Sequence, residues 1–175
     1  MKHKQILFIT QGAMIAAVYT VLTCFINAFG LANGAIQIRI SEALTILPAF
    51  TPAAVPGLFV GCLLSNTLTG CAIWDILFGS LATLLGALGT YFLRNHKFFL
   101  LPLPPILANT LIVPFVLQYV YQAPGGILYL MLTVGIGEIL SCGVLGLLLY
   151  RVLLPYKARL FGQQGPSPAI SAQHE

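Results

Sequence analysis

The sequence predicts an all-α integral membrane protein with six transmembrane helices. Hydrophobic residues make up 58% of the 175 residues and charged residues only 7%, whereas an ordinary soluble domain carries about 25% charge. The mean hydropathy is +0.94, and a soluble chain this apolar would expose large adhesive patches. Because a spanning helix uses about 20 residues, five or six spans would fill one membrane domain over residues 1–155.

The first apolar segment covers about residues 6–29. Its basic start is typical of a secretory signal peptide, but the apolar run is longer than a signal core and further spans follow. We therefore expect a retained first helix. An Asn33-Gly34 turn signal and a short alternation of apolar and polar residues come next.

The second and third segments, about residues 41–51 and 56–70, are shorter than a comfortable full span. Ser41 is a candidate N-cap of the second segment, Glu42 in its first turn suits the helix dipole, and Pro48 limits its length. The two segments either tilt or form a helical hairpin that does not fully cross. In both cases the chain returns to the side of the membrane that it left.

Three longer segments follow at about residues 73–93, 104–121 and 127–154. Residues 156–175 then form a polar tail rich in proline and glycine, which we expect to be cytoplasmic and disordered. The predicted organisation is one six-helix membrane domain with a short tail.

Basic residues are distributed unevenly along the chain. With six segments and the N-terminus inside, all but one of the lysines and arginines fall on the cytoplasmic side, as the positive-inside rule requires. Arg39 is the exception, because it lies in an outer loop just before the second segment. The inner set is Lys2, Lys4, Arg94, Lys97, Arg151, Lys157 and Arg159.

The polar residues of the apolar segments lean towards the opposite, outer side. Glu138 is the strongest candidate, because it lies about a dozen residues into the sixth segment, where an ionisable residue is a functional-site hypothesis by default. Three carboxylates facing one arginine predict a net negative pocket. The candidate substrate-binding residues are Arg39, Glu42, Asn66, Trp74, Asp75, Asn109 and Glu138.

The chemistry of such a pocket suits a small, flat, donor-rich heterocycle or a cationic amine better than a fatty acid or an anion. Carboxylates accept paired hydrogen bonds from an amidine- or guanine-like edge. Trp74 could stack on a flat ring.

Structural interpretations stand beside these functional ones. Glu138 could be protonated or paired with Arg39 inside the bundle, and Arg39 with Glu42 could form a surface ion pair that contributes about 0–1 kcal/mol. The hypothesis that we prefer is a gate, in which Arg39 neutralises Glu42 or Glu138 and orders the loop over a bound ligand.

The remaining candidates have similar alternatives. Asn66 and Asn109 could be interhelical hydrogen-bond partners. Asp75 is a common residue type at a helix start, and Trp74 favours a membrane interface.

Several function classes lack their sequence signals. The basic residues form no stripe for nucleic acid, and there is no HExxH, GxSxG or Walker A motif. We therefore expect no catalytic residue, metal or cofactor, and no ATP hydrolysis by this chain alone. The cysteines lack metal or disulfide spacing and are expected to be buried free thiols: Cys24, Cys62, Cys71 and Cys142.

The first segment carries a patch of small residues near its cytoplasmic end. Ala13 and Ala17 lie four apart, with Gly12 and Ala16 beside them, so another helix could pack closely there. Packing within the same chain is an equally good explanation.

Four runs of the sequence carry a family resemblance that covers about residues 5–155. Through them the chain resembles the substrate-binding S-components of energy-coupling factor (ECF) transporters, and more narrowly the QueT family of queuosine-precursor transporters. The runs are IQIRISEALTILPAFTPAAVPGLFVGCLLSN (Ile36–Asn66), DILFGSLATLLGALGTYFLR (Asp75–Arg94), LPPILANTLIVPFVL (Leu103–Leu117) and VGIGEILSCGVLG (Val134–Gly146).

The resemblance implies a six-helix bundle in a bacterial cell membrane that captures its ligand from outside. It implies work with the transmembrane scaffold subunit EcfT and two cytosolic ATPases, with Ala13 and Ala17 at the docking position. It also implies a 7-deazaguanine ligand such as preQ1, preQ0 or queuine, and release inside when the S-component topples in the membrane.

Other function classes stay open on the sequence alone. An S-component for another vitamin would share these features and differ in its ligand. A stand-alone secondary transporter or channel would act without partners, although no internal repeat of the kind common in such carriers is visible. A membrane enzyme is the weakest alternative, because no nucleophile–base or metal set is visible.

Overall fold

The computed structural model describes residues 2–29 and 39–162, and every regular element within these ranges is helical. The predicted all-α membrane fold is thereby confirmed. The Asn33-Gly34 turn signal lies outside the described residues.

The elements are α1 (Lys2–Ala28), a 3₁₀ helix (Ile40–Ala49), α2 (Ala54–Leu68), α3 (Ile73–Leu93), a short 3₁₀ turn (Phe98–Leu100), α4 (Leu103–Tyr119), α5 (Gly126–Glu138), a π-helix (Ile139–Leu145), α6 (Gly146–Leu153), a second 3₁₀ turn (Leu154–Tyr156) and α7 (Lys157–Phe161).

Four stretches of the described chain are long and apolar enough to cross a membrane. The 3₁₀ helix and α2 are shorter, with 10 and 15 residues. At about 2.0 Å and about 1.5 Å per residue, each is roughly 20 Å long, against a hydrocarbon core of about 30 Å. The sequence correctly indicated that these two segments are short. The four long stretches are Lys4–Ala28, Ile73–Leu93, Phe98–Tyr119 and Gly126–Phe161.

The surface of the bundle is strongly apolar. Leu128, Phe92 and Ile9 are 75%, 72% and 68% exposed, and large hydrophobic side chains of α1, α3, α4 and α5 are exposed along their lengths. In water such a surface would drive aggregation, whereas lipid tails match it.

The 3₁₀ helix lies in the centre of the bundle. Residues Ser41–Ala49 are all buried, because this segment is apolar on nearly every side and α1, α2, α3, the π-helix and α6 surround it. Runs of 3₁₀ structure longer than three or four residues are uncommon. Glu42 lies in its first turn, as expected.

Ser41 is not the N-cap that the sequence predicted. The helix begins at Ile40 with Arg39 as its cap residue in an extended conformation, and the Glu42 N–H donates to the Arg39 carbonyl at 2.9 Å. The Ser41 hydroxyl instead accepts a hydrogen bond from Thr23 of α1 at 2.8 Å. Contact with α1 therefore replaces local capping.

Small residues bring α1 and α2 into close contact. A Cβ at Gly57 would lie 2.7 Å from the Gly12 carbonyl oxygen, and one at Gly61 would lie 2.9 Å from the Tyr19 Cβ. Only glycine fits at these two positions without a shift of the neighbouring backbone or side chain. This contact fixes the position of Tyr19 against the bundle.

The predicted disorder from residue 156 onward is wrong for the first part of the tail. Residues Lys157–Phe161 form α7, and the Phe161 ring stacks on Phe50 with centroids 5.4 Å apart. Gln11 of α1 also donates to the Leu160 carbonyl oxygen at 3.1 Å. The polar residues around Phe161 gave no indication of this aromatic contact in the sequence. Residues 163–175 lie outside the described range.

Candidate ligand-binding site

A group of polar side chains is buried where α1, the 3₁₀ helix, α4 and the long helix of α5, the π-helix and α6 meet. We call it the deep cluster. Its members are between 1% and 7% exposed, in a bundle whose other buried residues are largely apolar. The deep cluster consists of Tyr19, Glu42, Asn109, Glu138 and Cys142.

Glu42 is the most enclosed charged side chain of the deep cluster. It lies in the first turn of the 3₁₀ helix, and its Oε1 accepts a short hydrogen bond from the Tyr19 hydroxyl of α1. Its Oε2 finds no hydrogen-bond partner among the described residues, although it is buried. A buried carboxylate oxygen without a donor is costly, so this atom is a ready acceptor.

Glu138 lies beside Glu42, with ligand atoms of the two side chains within 4.8 Å of each other. Its Oε2 accepts a hydrogen bond from the Cys142 thiol at 3.1 Å, and Thr45 donates to the same sulfur at 3.4 Å. The π-helix begins directly after Glu138, and its wider turn brings Ser141 and Cys142 together towards the 3₁₀ helix. Single turns of π-helix are frequent at functional sites.

Asn109 of α4 completes the deep cluster. Its amide interacts with the carboxylates of both Glu42 and Glu138. Its Nδ2 nevertheless makes no well-aligned hydrogen bond within the described part of the chain. The cluster thus contains one acceptor, Glu42 Oε2, and one donor, Asn109 Nδ2, that lack a well-aligned hydrogen-bond partner in the described chain.

Arg39 lies above the deep cluster, at the start of the 3₁₀ helix. Its backbone N–H donates to the Ser141 hydroxyl at 3.2 Å, which attaches this point to the π-helix. Its positive charge attracts Asp75 and Glu42 and also Glu138. With Asn66 it lines a cavity of about 60 Å³, which is too small for a bicyclic base unless the surrounding groups move.

Asp75 and Tyr121 form a second polar contact near the end of the bundle where α3 begins. The Tyr121 hydroxyl donates to Asp75 Oδ2 at 2.9 Å and accepts from the Ala72 N–H at 3.0 Å. Burial raises the pKa of Tyr121 to about 12, so the hydroxyl stays protonated at neutral pH. The Asn66 amide and the Asp75 carboxylate both border Gly79, whose lack of a side chain leaves room for them.

Trp74 lies apart from the polar residues. It is 54% exposed, and its ring stacks on Phe78 with centroids 6.1 Å apart. It lines an apolar surface groove of about 640 Å³ between α3 and α4, together with Phe115 and Tyr119.

The structure therefore divides the predicted site residues into groups. Glu42, Asn109 and Glu138 share the deep cluster, Arg39 and Asn66 line the small cavity, Asp75 contacts Tyr121, and Trp74 points away.

Sequence reasoning missed Tyr19 and Cys142, because tyrosine and cysteine are common in apolar helices. The one available signal was the spacing of Cys142, four residues after Glu138 and hence on the same helix face. The expectation that all four cysteines are buried is wrong for two of them, since Cys24 and Cys71 are only partly buried.

Glu42, Glu138 and Cys142 have side-chain ligand atoms within 4.8 Å of one another. Two oxygens and a sulfur at this spacing would be compatible with a divalent cation. Hydrogen bonds already join these groups, since the thiol donates to Glu138 and Tyr19 donates to Glu42. These hydrogen bonds engage the thiol and one oxygen of each carboxylate, whereas Glu42 Oε2 has no partner in the described part of the chain.

Two faces of α1 carry small residues, and they have different environments. Gly12 and Ala16 pack against Gly57 and Gly61 of α2. Ala13 and Ala17 lie on the other side and are exposed. We call the exposed pair the alanine stripe.

Several apolar spans around a buried acidic cluster are the architecture of a membrane transport protein. The chain belongs to the QueT transporter family, whose model matches residues 9–155. This family is one of transporters and not of enzymes, as the sequence predicted, and the resemblance to the QueT family drawn from the motifs is confirmed.

A curated relative is the queuosine precursor transporter QueT of Lactococcus lactis subsp. cremoris (strain MG1363). It is 32% identical over 84 residues, which are 48% of this chain and 49% of the relative. The match thus spans about half the length of that relative. No solved structure matches this chain.

Proposed function

We propose that this protein is the substrate-binding S-component of an ECF-type transporter. It captures a queuosine precursor, a 7-deazaguanine base, from outside the cell and delivers it inward with ATP-hydrolysing partners. The observation that carries the proposal is the deep cluster, with its two buried carboxylates and its unsatisfied donor and acceptor.

The chemistry of the cluster supports a guanine-like ligand. Glu42 Oε2 can accept from ring and exocyclic N–H groups, and the Asn109 amide can donate to a ring carbonyl. Each new hydrogen bond would satisfy a group that is buried without a partner. The curated relative is named as a transporter of a queuosine precursor, which supports the same class of ligand.

Arg39, Asn66 and Asp75 belong to the proposed site as its outer part. Arg39 attracts Glu42 and Asp75, so it would lower the cost of holding carboxylates away from water. Arg39 acts as a gate over the bound ligand, and Trp74 is a second, peripheral contact of the ligand. Trp74 would need to rotate, or α3 to move, before it could reach the ligand.

Two observations support the partnership with EcfT and two ATPases. The sequence has no Walker A motif, so energy from ATP requires another subunit. The alanine stripe is exposed on α1, as a docking surface for a partner helix requires. In this arrangement the basic end of the bundle and both termini face the cytoplasm.

A calorimetric titration of the purified chain with 7-aminomethyl-7-deazaguanine (preQ1), 7-cyano-7-deazaguanine (preQ0) and queuine tests the ligand. We expect saturable binding of at least one base by the chain alone. Thiamine and riboflavin serve as controls, and binding of one of them with none of the three bases would assign another S-component specificity.

Reconstituted vesicles test the mechanism. We expect uptake only when EcfT and both ATPases are present with ATP. Uptake by vesicles that contain this chain alone would instead indicate a secondary transporter.

A further inference from the structure

The geometry points to a division of roles in the deep cluster. We propose that Glu42, Asn109 and Glu138 form hydrogen bonds with one continuous edge of the base. In this arrangement Glu138 is the counter-ion that favours a ligand with a protonated aminomethyl arm over one with a neutral substituent. This inference rests on the proposed function and names the ligand more narrowly.

The first step is the pattern of hydrogen-bonding groups. Glu42 Oε2 is an acceptor and Asn109 Nδ2 is a donor without a well-aligned partner, and Asn109 interacts with the carboxylates of both Glu42 and Glu138. Ligand atoms of Glu42 and Glu138 lie within 4.8 Å of each other, so the deep cluster offers two acceptors and one donor close together. The three residues are 1%, 3% and 7% exposed, so water does not compete strongly for them.

The second step is the matching pattern on the ligand. Around one edge, 7-aminomethyl-7-deazaguanine presents a ring N–H, a carbonyl oxygen and the ammonium of its arm. That order is donor, acceptor and donor. Glu42 would accept the ring N–H, Asn109 would donate to the carbonyl, and Glu138 would accept from the ammonium.

The third step distinguishes the two carboxylates by their charge environments. Glu42 lies in the same helical turn as Arg39, its N–H donates to the Arg39 carbonyl at 2.9 Å, and the Tyr19 hydroxyl donates to its Oε1. Glu138 lies on another helix, accepts from the weaker thiol donor of Cys142 at 3.1 Å, and has a ligand atom within 4.8 Å of Glu42. Glu138 is therefore the carboxylate that gains most from a new positive charge.

The other groups near the pair come from three elements. Tyr19 of α1 donates to Glu42, Cys142 of the π-helix donates to Glu138, and Cys62 of α2 interacts electrostatically with Glu42. None of these three carries a positive charge, whereas Arg39 does and attracts both carboxylates. The ammonium of the ligand would be the second cation in a site with two buried carboxylates.

The test compares bases that differ only at the arm, by calorimetry on the full chain. The probes are the aminomethyl, cyano and methyl derivatives of 7-deazaguanine. We expect the aminomethyl base to bind about 10- to 100-fold more tightly than the two neutral bases, the range of one charged hydrogen bond.

Substitutions assign the roles. Glu138→Gln should lower the affinity for the aminomethyl base by about 10- to 100-fold and change the affinity for the neutral bases by less than about 3-fold. Glu42→Gln should lower the affinity for all three bases, because every one of them presents the same ring N–H. Thr133→Val, on the same helix as Glu138 and outside the cluster, is the matched control and should change none of the affinities.

The outcomes separate the two proposals. If no 7-deazaguanine binds, the proposed function fails and this inference fails with it. If all three bases bind the wild-type chain equally, or Glu138→Gln weakens them equally, only the inference is overturned. The wild-type comparison decides the question even if Glu138→Gln does not fold.

Discussion

Tyr19 connects the first helix to the charged centre of the bundle. It is 1% exposed, and its hydroxyl donates to Glu42, whose other oxygen has no partner in the described chain. A carboxylate in this position depends on each hydrogen bond that it receives, because water cannot replace a lost one.

We expect Tyr19→Phe to lower the free energy of unfolding by about 1–3 kcal/mol, since it removes a donor from a buried carboxylate. Thermal unfolding in detergent measures this change. Tyr129→Phe is the matched control, because Tyr129 is 48% exposed, and it should unfold like the wild type. A Tyr19→Phe variant as stable as that control would show that the hydrogen bond contributes little.

Residue types explain which site residues the sequence could predict. Glu42, Asn109 and Glu138 were predictable, because carboxylates and amides are rare in apolar helices and need a reason to be there. The position of Trp74 outside the cluster was not, since the rotation of α3 depends on the contact of Gly86 and Gly89 with prolines of α4. Composition alone does not determine which face of an apolar helix turns inward.

At the scale of elements, α1 is the helix on which the partnership proposal depends. Its inner face is occupied by α2, whose glycines meet Gly12 and Ala16. The alanine stripe is exposed on the other face. A partner helix could approach the backbone there at close range.

Enlarging the alanine stripe should separate assembly from ligand binding. We expect Ala13→Trp or Ala17→Trp to abolish co-purification with EcfT, because an indole would hold the two helices apart, and to leave the affinity for the base within about 3-fold. Pull-down and calorimetry measure the two effects. Leu132→Trp on α5, where Leu132 is 61% exposed, is the control and should assemble normally. Normal assembly of the alanine variants would rule out docking at the stripe.

The helical type of the central elements was not predictable from their sequences. Ile40–Ala49 and Ile139–Leu145 are a 3₁₀ helix and a π-helix, while the apolar patterns predict ordinary helices. The two segments pack against each other, and the Thr45 hydroxyl of the 3₁₀ helix donates to Cys142 Sγ of the π-helix at 3.4 Å. Their hydrogen-bonding patterns depend on this tertiary contact, which no local pattern encodes.

At the scale of the whole molecule, Arg94, Lys97 and Arg151 lie at one end of the bundle and Arg39 at the other. Arg151 lies over the Phe98 ring at 5.5 Å, and Arg94 over the Tyr91 ring at 3.9 Å. The Asp75–Tyr121 contact lies at the other end. The proposed orientation follows the positive-inside rule and places the basic end in the cytoplasm.

Single cysteines test this orientation in a variant that lacks the native cysteines. We expect Asn95→Cys to react with a membrane-impermeant maleimide only in inside-out vesicles, and Ala123→Cys only in right-side-out vesicles, because the two loops lie at opposite ends of the bundle. Mass spectrometry measures the labelling. The reverse pattern would invert the orientation and place the proposed site towards the cytoplasm.

The close contact of α1 with α2 also has a mechanical meaning. Tyr19 lies on the same helix as the alanine stripe, and it touches both Gly61 and Glu42. A force applied to the outer face of α1 would therefore be transmitted directly to the Glu42 carboxylate. Under the proposed function, the helix that docks on the partner subunit would also be the helix whose displacement weakens ligand binding.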